Sequence, residues 1–286
     1  MKPAPFDYVC PETLEEALAV LSEFGEDAKV LAGGQSLVPT MNMRLARPAT
    51  IVDINRLPGL AEMYNHNGSV HIGALVRQAD VEREPRIPQA IPLLALALPH
   101  VGHRQTRNRG TICGSLAHAD PSAEVPLVAV AINAEIETQS ARGSRRIEAG
   151  AFFDSFFTTT LAADELVTGA SFPSRSEGCG YAFEEFALRH GDFAIVATAC
   201  AVRVAADGKL KALSIVLGGV GERPHRCDTD SWLDRALTPR DVEDVAQTAS
   251  AHVDPPSDQR GTAKYRRWLA QGQIRRTLSL ALEDAR

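Results

Sequence analysis

The chain has 286 residues, 44% hydrophobic and 23% charged, ordinary values for a globular protein large enough to bury two cores. Its formal net charge of −6 argues against nucleic acid or an anionic membrane surface as a general partner. The five cysteines (Cys10, Cys113, Cys179, Cys200 and Cys227) are scattered and form no C-x-x-C pair, which excludes a disulfide framework and the usual four-cysteine iron–sulfur site.

No apolar segment follows Met1-Lys2-Pro3, so no secretory signal is expected. The longest apolar run, Ala90 to Pro99, is about half of what a membrane helix needs. A cytoplasmic protein without a transmembrane segment is expected, with attachment to the inner membrane face through partners left open.

In chain order, Thr13-x-x-Glu16 is a capping box, and Leu14, Ala17, Leu18 and Leu21 follow at helical spacing up to Gly25. A strand over Ala28 to Ala32 runs into Gly33-Gly34-Gln35-Ser36, and a helical turn is expected over Leu37 to Arg44. Thr50 to Ile54 is a further strand. Asn67-Gly68 between Ala61–Tyr64 and Val70–Ile72 signals a hairpin. Helices are expected over Gln78–Glu84, Pro88–Leu98 and Pro121–Ile132, and a strand over Ala134–Thr138.

Ser, Arg, Gly and Pro cluster between Pro173 and Gly180, where a domain boundary is expected. Beyond it, Tyr181–Leu188, Ile195–Ala205 and Leu210–Leu217 are expected strands, the last two joined at Asp207-Gly208. Ala263 to Asp284 reads as one helix. The pattern is α+β, with an antiparallel-rich carboxy-terminal part.

Two glycine loops carry the chemistry. In Ala32-Gly33-Gly34-Gln35-Ser36, adjacent glycines free the backbone to aim successive N–H groups into one concavity suited to phosphate. Ser36 adds a hydroxyl. Thr111-Ile112-Cys113-Gly114-Ser115 has similar content and leads through Leu116-Ala117-His118-Ala119-Asp120-Pro121 to a helix start. Either loop alone reads most simply as a turn. Together they could grip a dinucleotide pyrophosphate from two sides.

These two stretches resemble the flavoprotein subunits of the carbon monoxide dehydrogenase and xanthine dehydrogenase group of molybdenum hydroxylases. Phe6-Asp7-Tyr8, Val52-Asp53-Ile54, Arg107-Asn108-Arg109-Gly110, Gly191-Asp192-Phe193-Ala194 and Leu217-Gly218-Gly219-Val220-Gly221 extend the likeness in order along nearly the whole chain. The resemblance implies a two-part FAD-binding domain of the PCMH/vanillyl-alcohol-oxidase type over 1–176, with subdomains about 1–56 and 57–176. A smaller α+β domain with an antiparallel sheet would follow over 177–286.

It also implies that Ala32, Gly33, Gly34, Gln35, Ser36 and Leu37, with Thr111, Ile112, Gly114 and Ser115, hold FAD. Glu124 matches an acidic position near the adenosine part, Val167 a position lining the flavin, and Phe193 one beside the isoalloxazine. Cys113 stands where the family usually has glycine and is strained if its φ must be positive. Many relatives carry a lysine near Glu185, so a lysine contact to the flavin is missing here.

The implied complex has a large chain with the molybdopterin cofactor, a small chain with two [2Fe-2S] clusters, and this chain passing electrons to an external acceptor, as a heterotrimer or a dimer of heterotrimers. No catalytic or metal-ligating residue is assigned to this chain. A self-sufficient flavin oxidoreductase and a non-catalytic nucleotide-binding or assembly protein are the alternatives.

Rival motifs are weaker. Gly34-Gln35-Ser36-Leu37-Val38 lacks the last glycine of a nucleophile elbow. Gly219-Val220-Gly221-Glu222-Arg223-Pro224 has proline where a dinucleotide fingerprint needs glycine. His100, His103, Cys113 and His118 have no closed metal-ligand spacing. Arg104, Arg107 and Arg109 read as a solvated or partner-docking run, and Leu93, Leu94, Leu96 and Leu98 as core.

Overall fold

A computed structural model describes all 286 residues. The first unit comprises β1 (Asp7–Val9), α1 (Leu14–Phe24), β2 (Ala28–Leu31), α2 (Leu37–Asn42) and β3 (Thr50–Asp53). The strands form a parallel sheet in the order β1-β3-β2, with Val30 and Val9 both registered on Val52. Parallel neighbours need crossover segments, which α1 and α2 provide. The Thr13–Glu16 box closes reciprocally at the start of α1, and Ala17, Leu18 and Leu21 are its buried residues.

The second unit starts with β4 (Met63–His66) and β5 (Ser69–Gly73), joined through Asn67 (φ 48°) and Gly68 (φ 75°). Two positive φ angles match the twist of a two-residue hairpin. Then come α3 (Gln78–Arg83), α4 (Ile87–Ala90), α5 (Pro92–Ala97), α6 (Arg104–Arg107), α7 (Ile112–His118) and α8 (Glu124–Ala131). After them follow β6 (Glu135–Ser140), β7 (Gly143–Glu148), α9 (Ala149–Phe152), β8 (Phe153–Ser155), β9 (Thr158–Thr159) and β10 (Leu166–Pro173). An antiparallel sheet runs β4-β5-β10-β6-β7. Every residue of α8 is buried.

Two expectations change here. The helix expected over Pro88–Leu98 is divided at Ile91 (φ −132°, ψ 68°), because Pro92 disfavours helical geometry in the residue before it. The second glycine stretch, expected as a loop, is the first turn of α7, capped by Thr111, whose Oγ1 accepts the Gly114 N–H at 2.9 Å.

The third unit has β11 (Cys179–Phe186), β12 (Val196–Val204), β13 (Leu210–Gly218) and β14 (His225–Arg226) in an antiparallel sheet of that order. α10 (Pro239–Ala251) and α11 (Ala263–Asp284) complete it. Ala270, Ile274, Leu278 and Ala281 of α11 recur every three to four residues and join the core beneath the sheet. α10 was not anticipated, although Thr238, Pro239 and Asp241 make a capping box with proline in the first turn. Ala194, Ala197, Ala199 and Val216 pack instead into the large core of the first two units, so apolar packing crosses residue 176. No helix is long and apolar enough to cross a membrane.

Candidate functional site

A cleft of about 890 Å³ opens between the three units. Residues 32–37 and β2 form one wall, residues 110–124 the floor, residues 157–167 a second wall, and Gly191, Asp192 and Phe193 the rim. Of the positions expected at the site, Ala32, Gly33, Gly34, Gln35, Ser36, Leu37, Thr111, Gly114, Ser115, Glu124, Val167 and Phe193 all line it. Ile112 does not. Its side chain is fully buried in the core, and its N–H points to the Val76 carbonyl at 3.4 Å.

The first loop has the backbone that the glycines predict. Gly34 sits at φ 72°, and a Cβ on Gly33 would collide with the Arg109 carbonyl oxygen and lie 2.8 Å from the Gly110 Cα. The N–H groups of Gly33, Gly34, Gln35 and Ser36 have no protein acceptor, and the Ser36 hydroxyl has no protein partner. Successive free N–H groups around a positive-φ residue form a nest for an anion.

Distant residues hold the loop from behind. Asn55 Nδ2 donates to the Ala32 carbonyl at 2.8 Å and to Asp53 Oδ1 at 2.6 Å. Arg77 donates to Asn55 Oδ1 at 2.6 Å and to the Arg109 carbonyl at 2.7 Å. Tyr8 donates to Asp53 at 2.6 Å, and that bond pushes its phenol up to about 12. No local motif marks Asn55 or Arg77 as holding the loop, since the Asn55–Ala32, Arg77–Asn55 and Arg77–Arg109 bonds each span more than twenty residues.

At the second loop, Cys113 carries none of the expected strain. Its φ is not positive, because the residue lies inside α7. Burial pushes its thiol up to about 12, and Sγ donates to the Ile72 carbonyl at 3.6 Å. The Ser115 hydroxyl has no protein partner. Gln78, also on the cleft, is buried with Oε1 unpaired, and an unpaired buried acceptor calls for a donor from elsewhere. The sequence offered no sign of Gln78. The nest, the two free hydroxyls and the orphaned Gln78 oxygen fit a ligand that combines phosphate with hydroxyl or N–H donors.

Phe193 is 60% exposed at the rim. The chain just after it is clamped by the buried Arg266, whose Nη1 donates to the Ile195 carbonyl at 2.6 Å and the Gly219 carbonyl at 2.9 Å. Asp258 holds the same guanidinium at 2.8 Å. The glycine run at 219–221 is therefore a turn seated against this clamp.

Glu124 is 6% exposed on the cleft, and Glu185 on β11 has its Oε2 buried without a partner. Glu185 precedes Phe186 at the end of the strand leading into the Phe193 loop. The helix that Glu124 opens, α8, packs on β12 and β13 of the carboxy-terminal sheet. Burial, with repulsion from Asp120, pushes Glu124 up to about 7, and burial, with repulsion from Glu124, pushes Glu185 up to about 8.

The arginine run is not uniformly solvated. Arg104 and Arg109 are exposed, but Arg107 is buried and grips Glu82 at 2.9 and 3.0 Å. The histidines do not converge with Cys113: His100 packs against Phe183 and His190, and His118 against Phe157. No group of three or more metal-ligating side chains is assembled.

Comparison with known proteins bears on both halves of the chain. Residues 4–175 match the FAD binding domain in molybdopterin dehydrogenase, and residues 181–281 match the CO dehydrogenase flavoprotein C-terminal domain. The 6-hydroxypseudooxynicotine dehydrogenase complex subunit alpha of Paenarthrobacter nicotinovorans is 41% identical, the match covering 100% of this chain and 97% of that protein. The nicotine 6-hydroxylase medium subunit of the same organism is 40% identical over 97% of this chain and 98% of its own length. Among solved structures, carbon monoxide dehydrogenase from Hydrogenophaga pseudoflava, in a form lacking the Mo-pyranopterin moiety, superimposes with a TM-score of 0.96 at 34% identity, covering 99% of each chain.

Proposed function

This chain belongs to the FAD-binding medium subunits of the molybdenum hydroxylases, and from that membership we propose that it relays electrons between an iron–sulfur partner chain and an external acceptor. The family is one of multi-subunit oxidoreductases, and the fold is that of its flavoprotein subunit. Substrate hydroxylation belongs, on this reading, to a large molybdenum-bearing chain, and a small chain with two [2Fe-2S] clusters supplies the electrons. Bound FAD would supply the chemistry of accepting electrons singly and releasing them.

The protein's own part is to bind and orient. The N–H groups of Gly33, Gly34, Gln35 and Ser36, with the hydroxyls of Ser36 and Ser115, would hold the pyrophosphate. Gln78 Oε1 would accept from a hydroxyl or N–H of the cofactor. Val167 would lie along the flavin and Phe193 would cover it at the rim. Glu124, which lines the cleft, would lie near the adenosine part of the cofactor. We assign the cofactor domain to residues 1–176 and the carboxy-terminal domain to 177–286, the latter supplying the rim.

The observation that carries this reading is the cleft in which an open amide nest, free hydroxyls and the Phe193 loop meet. An absorption spectrum of the purified chain, followed by identification of the released chromophore, tests it. Stoichiometric FAD is expected. A folded chain that stays colourless after FAD is added overturns the reading.

A further inference from the structure

Residues 76–78 hold both of the glycine stretches that line the cleft. Their backbone runs antiparallel to residues 110–112. Arg77 and Thr111 form an isolated bridge, the Gln78 N–H donates to the Gly110 carbonyl at 2.9 Å, and the Ile112 N–H donates to the Val76 carbonyl at 3.4 Å. The pairing supports the extended backbone of Thr111 (φ −110°, ψ 155°), the cap from which Gly114 and Ser115 follow.

The Arg77 side chain serves the other stretch. Nη2 donates to Asn55 Oδ1 at 2.6 Å, and Asn55 Nδ2 donates in turn to the carbonyl of Ala32, one residue before the nest, at 2.8 Å. Asp53 Oδ1 accepts both the Asn55 N–H at 2.9 Å and Nδ2 at 2.6 Å, which orients the amide with its oxygen towards Arg77. Nη1 donates to the Arg109 carbonyl at 2.7 Å. That carbonyl oxygen is the atom a Cβ on Gly33 would strike first, so the guanidinium also fixes the surface on which the nest rests. Both acceptors are neutral oxygens, and a charged donor binds such oxygens strongly. Its planar fork sets their relative positions. Arg77 itself does not line the cleft and acts through the groups it holds.

We propose that Arg77, through Asn55, is a positioning residue that fixes the two stretches at the span of a pyrophosphate, so that the cleft selects ligands with two linked phosphates over those with one. The proposal rests on the reading that the cleft binds FAD through the nest and Ser115. With the clamp in place, a ligand whose first phosphate enters the nest meets the second set of donors already in position. With the clamp cut, binding the second phosphate must order the two stretches first, and that cost falls only on ligands that span both.

ADP and AMP differ by one phosphate, and calorimetric titration of the FAD-free full chain with each tests the clamp. The wild type should bind ADP about tenfold or more tightly than AMP, the size of one charge-assisted hydrogen bond. In Arg77→Met the preference should fall to about threefold or less, mostly through weaker ADP binding. Asn55→Ala, which cuts the clamp at its other end, should lower the same ratio. The ratio does not depend on the folded fraction, so a purely structural role would leave it unmoved. A wild-type ratio retained in either folded variant overturns the proposal, as does failure of both variants to fold, since the two residues then serve the fold. A wild type that takes up FAD without preferring ADP to AMP overturns the clamp and leaves the FAD reading standing. A folded wild type that takes up no FAD, read separately from its visible spectrum, overturns both.

Discussion

Between residues 33 and 36, four successive N–H groups have no protein acceptor, whereas the stretch 111–115 turns its donors inward to start α7. There the Gly114 N–H goes to Thr111 Oγ1 at 2.9 Å and the Ser115 N–H to the Thr111 carbonyl at 3.2 Å. Both stretches pair glycine with hydroxyl residues, so composition does not separate them. Position does. Thr111 lies three residues before Gly114 and can cap a helix, while Gly33 is pressed against Arg109 and Gly110, and Gly34 has a positive φ. One loop offers backbone donors to a ligand, and the other offers mainly a side chain, Ser115.

Substitutions can break this contrast. The largest effect is expected from Gly33→Val, whose side chain must push into the Arg109–Gly110 backbone. A cost of about 1–3 kcal/mol, realised as lost flavin, is expected for overpacking there. Wild-type flavin content in the purified variant would end the nest interpretation. Gly114→Val acts on the other loop through its cap, since a Cβ would lie 2.6 Å from Thr111 Oγ1. It should lower thermal stability by about 1 kcal/mol and weaken FAD retention, and Thr111→Ala should reproduce the stability loss without the bulk.

The buried carboxyls of Glu124 and Glu185 set a third contrast, in pH rather than geometry. Both folded-state values are raised above the ordinary glutamate value of 4.5. A group raised on folding gives stability that is fully present below its unfolded value and is lost as pH rises through the folded one. Denaturant stability of the wild type should therefore decline between about pH 4.5 and 8 more than that of Glu185→Gln. Parallel curves would contradict the shifts. The smallest effects belong to the free hydroxyls: Ser36→Ala and Ser115→Ala should each weaken FAD binding by about 0.5–1.5 kcal/mol, with melting temperature unmoved. Titration of FAD-free protein would show whether the two sites contribute equally.

Much of the scaffold was legible because its signals are local. The Thr13–Glu16 box, the Asn67-Gly68 turn and the core spacing of α11 each operate within a few residues. Some local signals were present but outcompeted. Thr111 is as compatible with a loop hydroxyl as with a helix cap, and the Thr238–Asp241 box of α10 is followed by no strongly apolar run. Pro92 marked the break at Ile91, though the apolar run around it suggested one helix.

Other features depend on meetings that no window of sequence contains. The sequence around residues 33–36 carried the flexibility of a nest, but Asn55, Arg77 and Arg109 hold it in shape from separate elements. Arg107 resembles its solvated neighbours in sequence, but it is buried and paired with Glu82, 25 residues away. Glu124 and Glu185 are unremarkable singly, and the burial that tertiary packing imposes raises both carboxyls above the ordinary glutamate value. Hydrogen bonds and apolar periodicity within one element act over a few residues and can be read directly. Desolvation and charge pairing depend on which distant residues the fold brings together, and only the tertiary structure decides that.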